Sequence, residues 1–140
     1  MNPHPVSNPA VRIAVVDDDR ATLSVLTDIL RAGGHEVLEF DNGEDALEGL
    51  RDAPVDLLVL DMLLPRMSGI ELARALRELP WARQVPVVAV TALRWNPEQV
   101  LAIEEAMAPA RLVRKPVAVR DLLFTAGAML ARAALDAAAA

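Results

Sequence analysis

A chain of 140 residues, 54% hydrophobic and 24% charged, has the length and composition of one globular domain and is not that of a disordered polypeptide. Its formal net charge of -6 repels phosphate backbones and anionic lipid surfaces, so neither nucleic acid nor a membrane is an expected partner, and no apolar run is expected to approach the length of a membrane span. Cys is absent, and the start of the chain shows neither a basic leader nor an apolar core, so a secretory signal is not expected and a cytoplasmic location is.

Pro3, Pro5 and Pro9 mark residues 1–10 as a flexible extension. Residues 11–16 are continuously apolar around Arg12 and read as a buried strand. Leu23, Leu26, Ile29 and Leu30 recur at helical spacing, Gly33-Gly34 end that helix, and a short strand follows over 36–40. Asn42-Gly43 makes a turn, 44–51 a short helix, and 55–60 a second continuous apolar strand stopped by Asp61. A helix over about 68–79, a strand over 87–90, a helix over about 97–107, a strand at Leu112-Val113 and a last helix over about 119–135 complete the chain before a tail, 136–140. Buried strands alternating with amphipathic helices specify a parallel sheet covered on both faces by right-handed crossovers. The expected fold is doubly wound α/β, (βα)5, with strand order 2-1-3-4-5, flavodoxin-like, in one domain over 11–135. Its ligand crevice lies where strands 1 and 3 adjoin.

The chemistry-bearing residues stand at strand ends: Asp17-Asp18-Asp19 after the first, Asp61 after the third, Thr91-Ala92 after the fourth and Lys115-Pro116 after the fifth. An acidic loop, a turn aspartate or a strand-end threonine is each commonplace alone, as solvated surface, helix cap or backbone partner. Parallel strands bring all of them to one edge, which those separate roles do not explain. Carboxylates gathered there repel one another and need protonation or a cation. Hard oxygen ligands at a shallow site suit Mg²⁺, which takes one or two carboxylates and otherwise keeps waters or phosphate oxygens. A carboxylate can attack phosphorus to give an acyl phosphate, a transfer catalysed mostly by positioning and charge neutralisation. Among fourteen basic residues Lys115 is the only lysine, which suggests that a compact ammonium with three donors is needed at this position. A cis Lys115-Pro116 bond would aim it inward.

With these residues the chain resembles the receiver domains of bacterial two-component response regulators, over essentially 11–135. The family's apolar strand ending in an acidic pair appears as Val15-Val16-Asp17-Asp18, and its Asp-x-x-x-Pro-x-x-x-Gly signature as Asp61-Met62-Leu63-Leu64-Pro65-Arg66-Met67-Ser68-Gly69. The resemblance implies Asp61 as phosphoacceptor, Thr91 and Lys115 as its phosphoryl-contacting partners, and Asp17, Asp18, Asp61 and the backbone carbonyl of Leu63 as ligands of Mg²⁺. It implies a phosphohistidine donor on a sensor histidine kinase or phosphotransfer protein, and a phosphoacceptor that assists its own phosphorylation and dephosphorylation rather than an enzyme. A haloacid-dehalogenase-type phosphatase would carry its nucleophile in the first strand and expects Asp-x-Asp-x-Thr or Val, whereas Asp17-Asp18-Asp19-Arg20-Ala21 ends in Ala21. A degenerate, constitutively docking receiver is the other alternative.

Leu112 stands where many receivers carry a switch aromatic, and Tyr is absent. The segment from Thr91 to Lys115 is about two residues longer than the family's usual pattern, which predicts irregularity around 106–110. In the last helix, Val119, Leu122, Leu123, Ala126, Met129, Leu130 and Ala133 form the expected sheet-facing stripe. Phe124, Ala128, Ala131 and Leu135 form a second stripe, a candidate surface for a downstream protein target or a second copy. No effector module is expected after it, so output would be by docking. Leu63 and Leu93, two residues beyond Asp61 and Thr91, stand where the receivers that the chain resembles vary the groups flanking the attacking water, and both are apolar here. Autodephosphorylation should therefore be slow; a phosphoryl half-life of seconds at neutral pH with Mg²⁺ would contradict this.

Overall fold

The computed structural model describes residues 11–139; the expected extension, 1–10, lies outside the described residues. Five strands, β1 (Arg12–Val16), β2 (Glu36–Phe40), β3 (Leu57–Asp61), β4 (Val87–Thr91) and β5 (Ala110–Arg114), form one parallel sheet in the order β2-β1-β3-β4-β5. Helices α1 (Arg20–Ala32), α2 (Gly43–Leu50), α3 (Gly69–Arg77), α4 (Pro97–Met107) and α5 (Val119–Ala139) connect and cover it. The expected fold and strand order are the observed ones.

Alternation along the strands divides the interior into two layers. Ile13, Val15, Leu57, Val59, Val88 and Val90 pack with Leu23, Leu26 and Leu30 of α1 and Leu122 and Ala126 of α5. Ala14, Val16, Leu58, Leu60, Val87 and Ala89 pack with Ala46 and Leu50 of α2, Leu72, Ala73 and Leu76 of α3, and Met107 of α4. The central strands β3 and β4 are buried throughout, which is why continuous apolar runs identify them.

Boundaries differ where local chemistry competes with the apolar pattern. β3 starts two residues late because Asp56 is used sideways: its carboxylate accepts the Arg12 N–H (2.9 Å) and its own N–H donates to the Arg12 carbonyl (2.7 Å). At its other end β3 includes Asp61. α3 ends at Arg77 because Leu79, which precedes Pro80, is held extended (φ -74°, ψ 129°), and Pro80–Ala82 form a single 3₁₀ turn instead. β5 is longer than the Leu112-Val113 pair because an edge strand needs no continuous apolar run, and Arg111 and Arg114 are exposed beside half-buried Ala110, Leu112 and Val113. α5 continues to Ala139, so residues 136–139, expected as tail, are its last turn.

Two expectations about α5 are corrected. Only Leu122 and Ala126 are buried, while Val119 and Leu123 of the expected sheet-facing stripe are exposed. Met129 and Leu130 pack partly against the same layer, so the face that α5 turns to the sheet is narrower than the apolar stripe. Its alanines make α5 long and apolar enough to cross a membrane by length and composition, against the expectation that no run would be.

The long segment between Thr91 and Lys115 ends α4 at Met107 and turns through a cis Ala108-Pro109 bond into β5. Arg77 holds this corner. Its guanidinium donates to the carbonyls of Ala82 (2.7 Å), Val85, Met107 (2.9 Å) and Pro109 (3.4 Å), with no carboxylate among these acceptors, and burial lowers its pKa. Only a planar, five-donor group spans that many carbonyls.

Candidate functional site

The order β2-β1-β3-β4-β5 sets the carboxyl ends of β1, β3, β4 and β5 side by side. Backbone bonds continue the sheet into the loops and fix the emerging residues. The Asp17 N–H donates to Phe40 O (3.1 Å), Met62 N–H to Val90 O (2.9 Å), and Lys115 N–H to Thr91 O (2.7 Å). Asp61 and Thr91 are thus themselves paired strand residues, and Asp17 and Lys115 directly follow one.

Asp17 and Asp61 are both buried, and one ammonium lies between them. Lys115 Nζ is 2.9 Å from Asp17 Oδ2 and 3.2 Å from Asp61 Oδ2. The Lys115-Pro116 bond is cis. The remaining oxygens bond to the following backbone: Asp17 Oδ1 accepts the Asp19 N–H (2.9 Å) and Asp61 Oδ1 the Leu63 N–H (3.1 Å). Burial pushes the Asp17 carboxyl above the usual carboxylate range, against the lowering by Lys115 and the Asp19 amide. Burial would lower the Lys115 pKa, but the two carboxylates outweigh it and hold the ammonium above its ordinary value.

The three consecutive aspartates separate into two uses. Asp17 and Asp18 join Asp61 in a cluster whose carboxylate oxygens lie within 4.8 Å of one another. Asp19 is the N-cap of α1, accepting the Ala21 N–H (3.0 Å) and the Thr22 hydroxyl (3.0 Å), and these bonds, Thr22's first, lower its pKa. The cluster fits a hard divalent cation. It has three carboxylates against one ammonium, and buried Asp17 Oδ2 makes no directed hydrogen bond. The short approach of Lys115 to that oxygen is ionic and lies off the hydrogen-bonding directions, which leaves lone pairs for a metal.

Gly69 of the signature is required by space. A Cβ there would collide with the Asp61 carbonyl oxygen and come within 2.9 Å of Met62 Cα. Its N–H donates to Met62 O (3.1 Å), and the Ser68/Glu71 capping box starts α3 immediately, so the loop after Asp61 is closed against the strand end. Arg66 in this loop takes a left-handed conformation (φ 64°) and pairs with Glu44 at 2.7 Å.

Thr91 is buried. Its hydroxyl oxygen accepts the Leu93 N–H (3.0 Å) and the Trp95 indole N–H (3.4 Å). Trp95 was not among the sequence candidates; its only signal was an aromatic four residues past a strand-end threonine. Leu63 and Leu93 are both exposed at the mouth. Asp17, Asp61, Thr91 and Lys115 are therefore brought together as expected from their strand ends.

Known proteins match this arrangement. The family model described as the response regulator receiver domain matches residues 13–126. The phosphate regulon transcriptional regulatory protein PhoB of Rhizobium meliloti is 38% identical over 87% of this chain, which spans about half (53%) of that protein's length. The response regulator receiver protein CpdR of Brucella abortus is 34% identical, with 80% of this chain and 90% of that protein covered. The crystal structure of a CheY-like receiver domain protein from Methanospirillum hungatei superposes with TM-score 0.79 at 30% identity, covering 91% of this chain and 98% of that one.

Lys115 is the only lysine, and Tyr and Cys are absent, so above pH 9 this side chain titrates well apart from the arginines. With its folded pKa raised, its contribution to stability is complete below the ordinary lysine value and is lost as pH rises through the folded value. Urea denaturation should show stability falling above about pH 10.4 with a slope of at most about 1.4 kcal/mol per pH unit. Lys115→Arg should flatten that window; an unchanged slope would exclude Lys115 as its source.

Proposed function

The chain belongs to the response regulator receiver domain family of two-component signalling, and on that premise we propose that it is a Mg²⁺-dependent phosphoacceptor switch, with Asp61 taking a phosphoryl group from a phosphohistidine. The observation that carries this reading is the Lys115 ammonium lying 2.9 Å and 3.2 Å from the carboxylates of Asp17 and Asp61. It joins three strand ends in one nucleophile site, where its single positive charge offsets part of the carboxylate charge.

In the proposed transfer an Asp61 carboxylate oxygen forms the new P–O bond while the donor's P–N bond breaks, and the donor imidazole leaves with the nitrogen electron pair and takes a proton. Asp61 is held for this by the Leu63 N–H on one oxygen and Lys115 on the other. Lys115 offsets the charge gathering on the phosphoryl oxygens, and the Thr91 hydroxyl donates to one of them. Asp17, Asp18, Asp61 and the Leu63 backbone carbonyl would hold Mg²⁺, which supplies further neutralisation of the phosphoryl oxygens when bound. No external substrate is turned over, so the protein is a signalling partner and not an enzyme. The donor would be a sensor histidine kinase or a phosphotransfer protein. The output of this chain would be docking to a downstream protein.

Acetyl phosphate with Mg²⁺ should add one phosphoryl group to the intact protein by mass spectrometry. Asp61→Asn should abolish the addition, and beryllofluoride with Mg²⁺ should perturb backbone resonances around Asp61. No response would favour the inert docking module, and turnover of external phosphoesters the phosphatase.

The exposed stripe of α5 favours an added output reading, self-association or target docking through that helix. Phe124 is 74% exposed and Leu135 68%, an unusual apolar display for a helix already packed on its other side. Phe124→Asp should weaken self-association in sedimentation analysis or the capture of a target; unchanged association in both would remove α5 from the interface.

A further inference from the structure

Thr91 Oγ1 accepts two hydrogen bonds, from the Leu93 amide at 3.0 Å and the Trp95 indole at 3.4 Å. A hydroxyl oxygen carries two lone pairs and one proton. With both lone pairs engaged, the proton has one direction left, and the hydroxyl is committed to donate. Thr91 is buried, so no water shell randomises that choice. The indole contact is long and therefore weak, the kind of bond that is exchanged at small cost when the hydroxyl finds a charged acceptor.

Trp95 is joined to α4. It directly precedes Asn96, the N-cap, whose side chain accepts the Gln99 N–H (2.8 Å) while the Gln99 side-chain oxygen accepts the Asn96 N–H (2.9 Å). α4 is thinly packed: of its residues only Met107, in the last turn, is buried. Its far half is also tied down. Glu104 accepts the Leu112 N–H (2.9 Å), and Arg77 donates to Met107 O (2.9 Å). The helix is anchored at its C-terminal half and attached to the site at its start only through the residues 92–96. Leu112, lacking an aromatic ring or polar group, cannot relay the state of Thr91 by its side chain, and its backbone N–H is already engaged.

We propose that Trp95 is the positioning and relay residue of the phosphoacceptor site. Its indole N–H occupies a lone pair of Thr91 so that the hydroxyl proton is available to a phosphoryl oxygen. It changes partner when Thr91 turns toward that oxygen, shifting the weakly packed start of α4. The relay half of this proposal rests on the phosphoacceptor reading above; the positioning half concerns the unmodified protein alone.

Nitrogen-proton correlation spectra of the ¹⁵N-labelled protein give two indole signals, and Trp95→Phe identifies that of Trp95 by its loss. Trp81, whose indole donates to Leu50 O (3.1 Å) far along the chain, is the internal control. Thr91→Val should move the Trp95 indole signal in the absence of any ligand, and Thr91→Ser, which keeps the acceptor, should leave it near its wild-type position. Beryllofluoride with Mg²⁺ should move the Trp95 signal and leave that of Trp81 in place. Phosphorylation by acetyl phosphate should slow about two- to tenfold in Trp95→Phe, the worth of one neutral hydrogen bond. A Trp95 signal indifferent to Thr91→Val overturns the positioning role. Bound beryllofluoride seen by ¹⁹F with the Trp95 signal unmoved overturns the relay. No bound ¹⁹F signal in the wild-type protein overturns the phosphoacceptor reading itself and the relay with it, while the Thr91→Val comparison, which needs no ligand, still decides the positioning role.

Discussion

Two carboxylates buried at adjacent strand ends and the single ammonium between them set the terms for this molecule. Asp17 and Asp61 would repel each other in a dry crevice, and Lys115, arriving from the end of β5, is what makes their shared burial tolerable. Its compensation is incomplete. Asp18 adds a third carboxylate at the rim, so the cluster keeps an excess of negative charge that a hard cation relieves. The unfavourable part of this balance falls on Asp17, the carboxyl whose pKa burial raises. The fold thus stores an affinity for cation and phosphate at the place where its own charges are least content, a common way for a site to be useful and slightly destabilising together.

Keeping that cluster in place takes most of the rigid framework. β1, β3 and β4 are paired on both sides and enclosed by the two apolar layers, so the ends of these strands hardly move relative to one another. Gly69 lets α3 close against the backbone of Asp61, and Asp19 starts α1 one turn from Asp17. Rigidity on this side contrasts with the β4-β5 edge. There α4 buries one residue, β5 is half exposed, and Arg77 and Glu104 hold the corner by polar bonds instead of packing. A switch needs a stable site and a yielding element beside it, and the fold distributes its packing accordingly.

The strand-end residues were legible because a parallel sheet converts position in the sequence into position in space. A buried strand has a recognisable apolar run, its end is where the run stops, and the doubly wound topology puts all such ends on one edge. That reasoning found Asp17, Asp61, Thr91 and Lys115 without any contact being known. It did less well where a residue's role is set by geometry finer than the period of its element. Asp18 and Asp19 look alike in sequence, yet one faces the cluster and the other caps a helix. Val119 and Leu123 fall on the correct helical stripe, yet α5 presents them to solvent. Trp95 and Arg77 act through single bonds to partners in other elements or other turns, and no periodicity marks them.

The amino-acid sequence by itself determined the alternation of elements and the edge of the sheet on which the chemistry stands, since those follow from hydrophobic period and the handedness of crossovers, whereas the strand order was expected as the common one for a doubly wound chain of this length. Only the tertiary structure decided the pairings: which oxygen of Asp61 meets Lys115 and which meets Leu63, which aspartate is left to a cation, and what holds Thr91. Period and propensity are averaged over many residues and survive being read one chain position at a time. A hydrogen bond or ion pair depends on a few tenths of an ångström and on direction, and those are fixed only when all five strand ends are packed against one another.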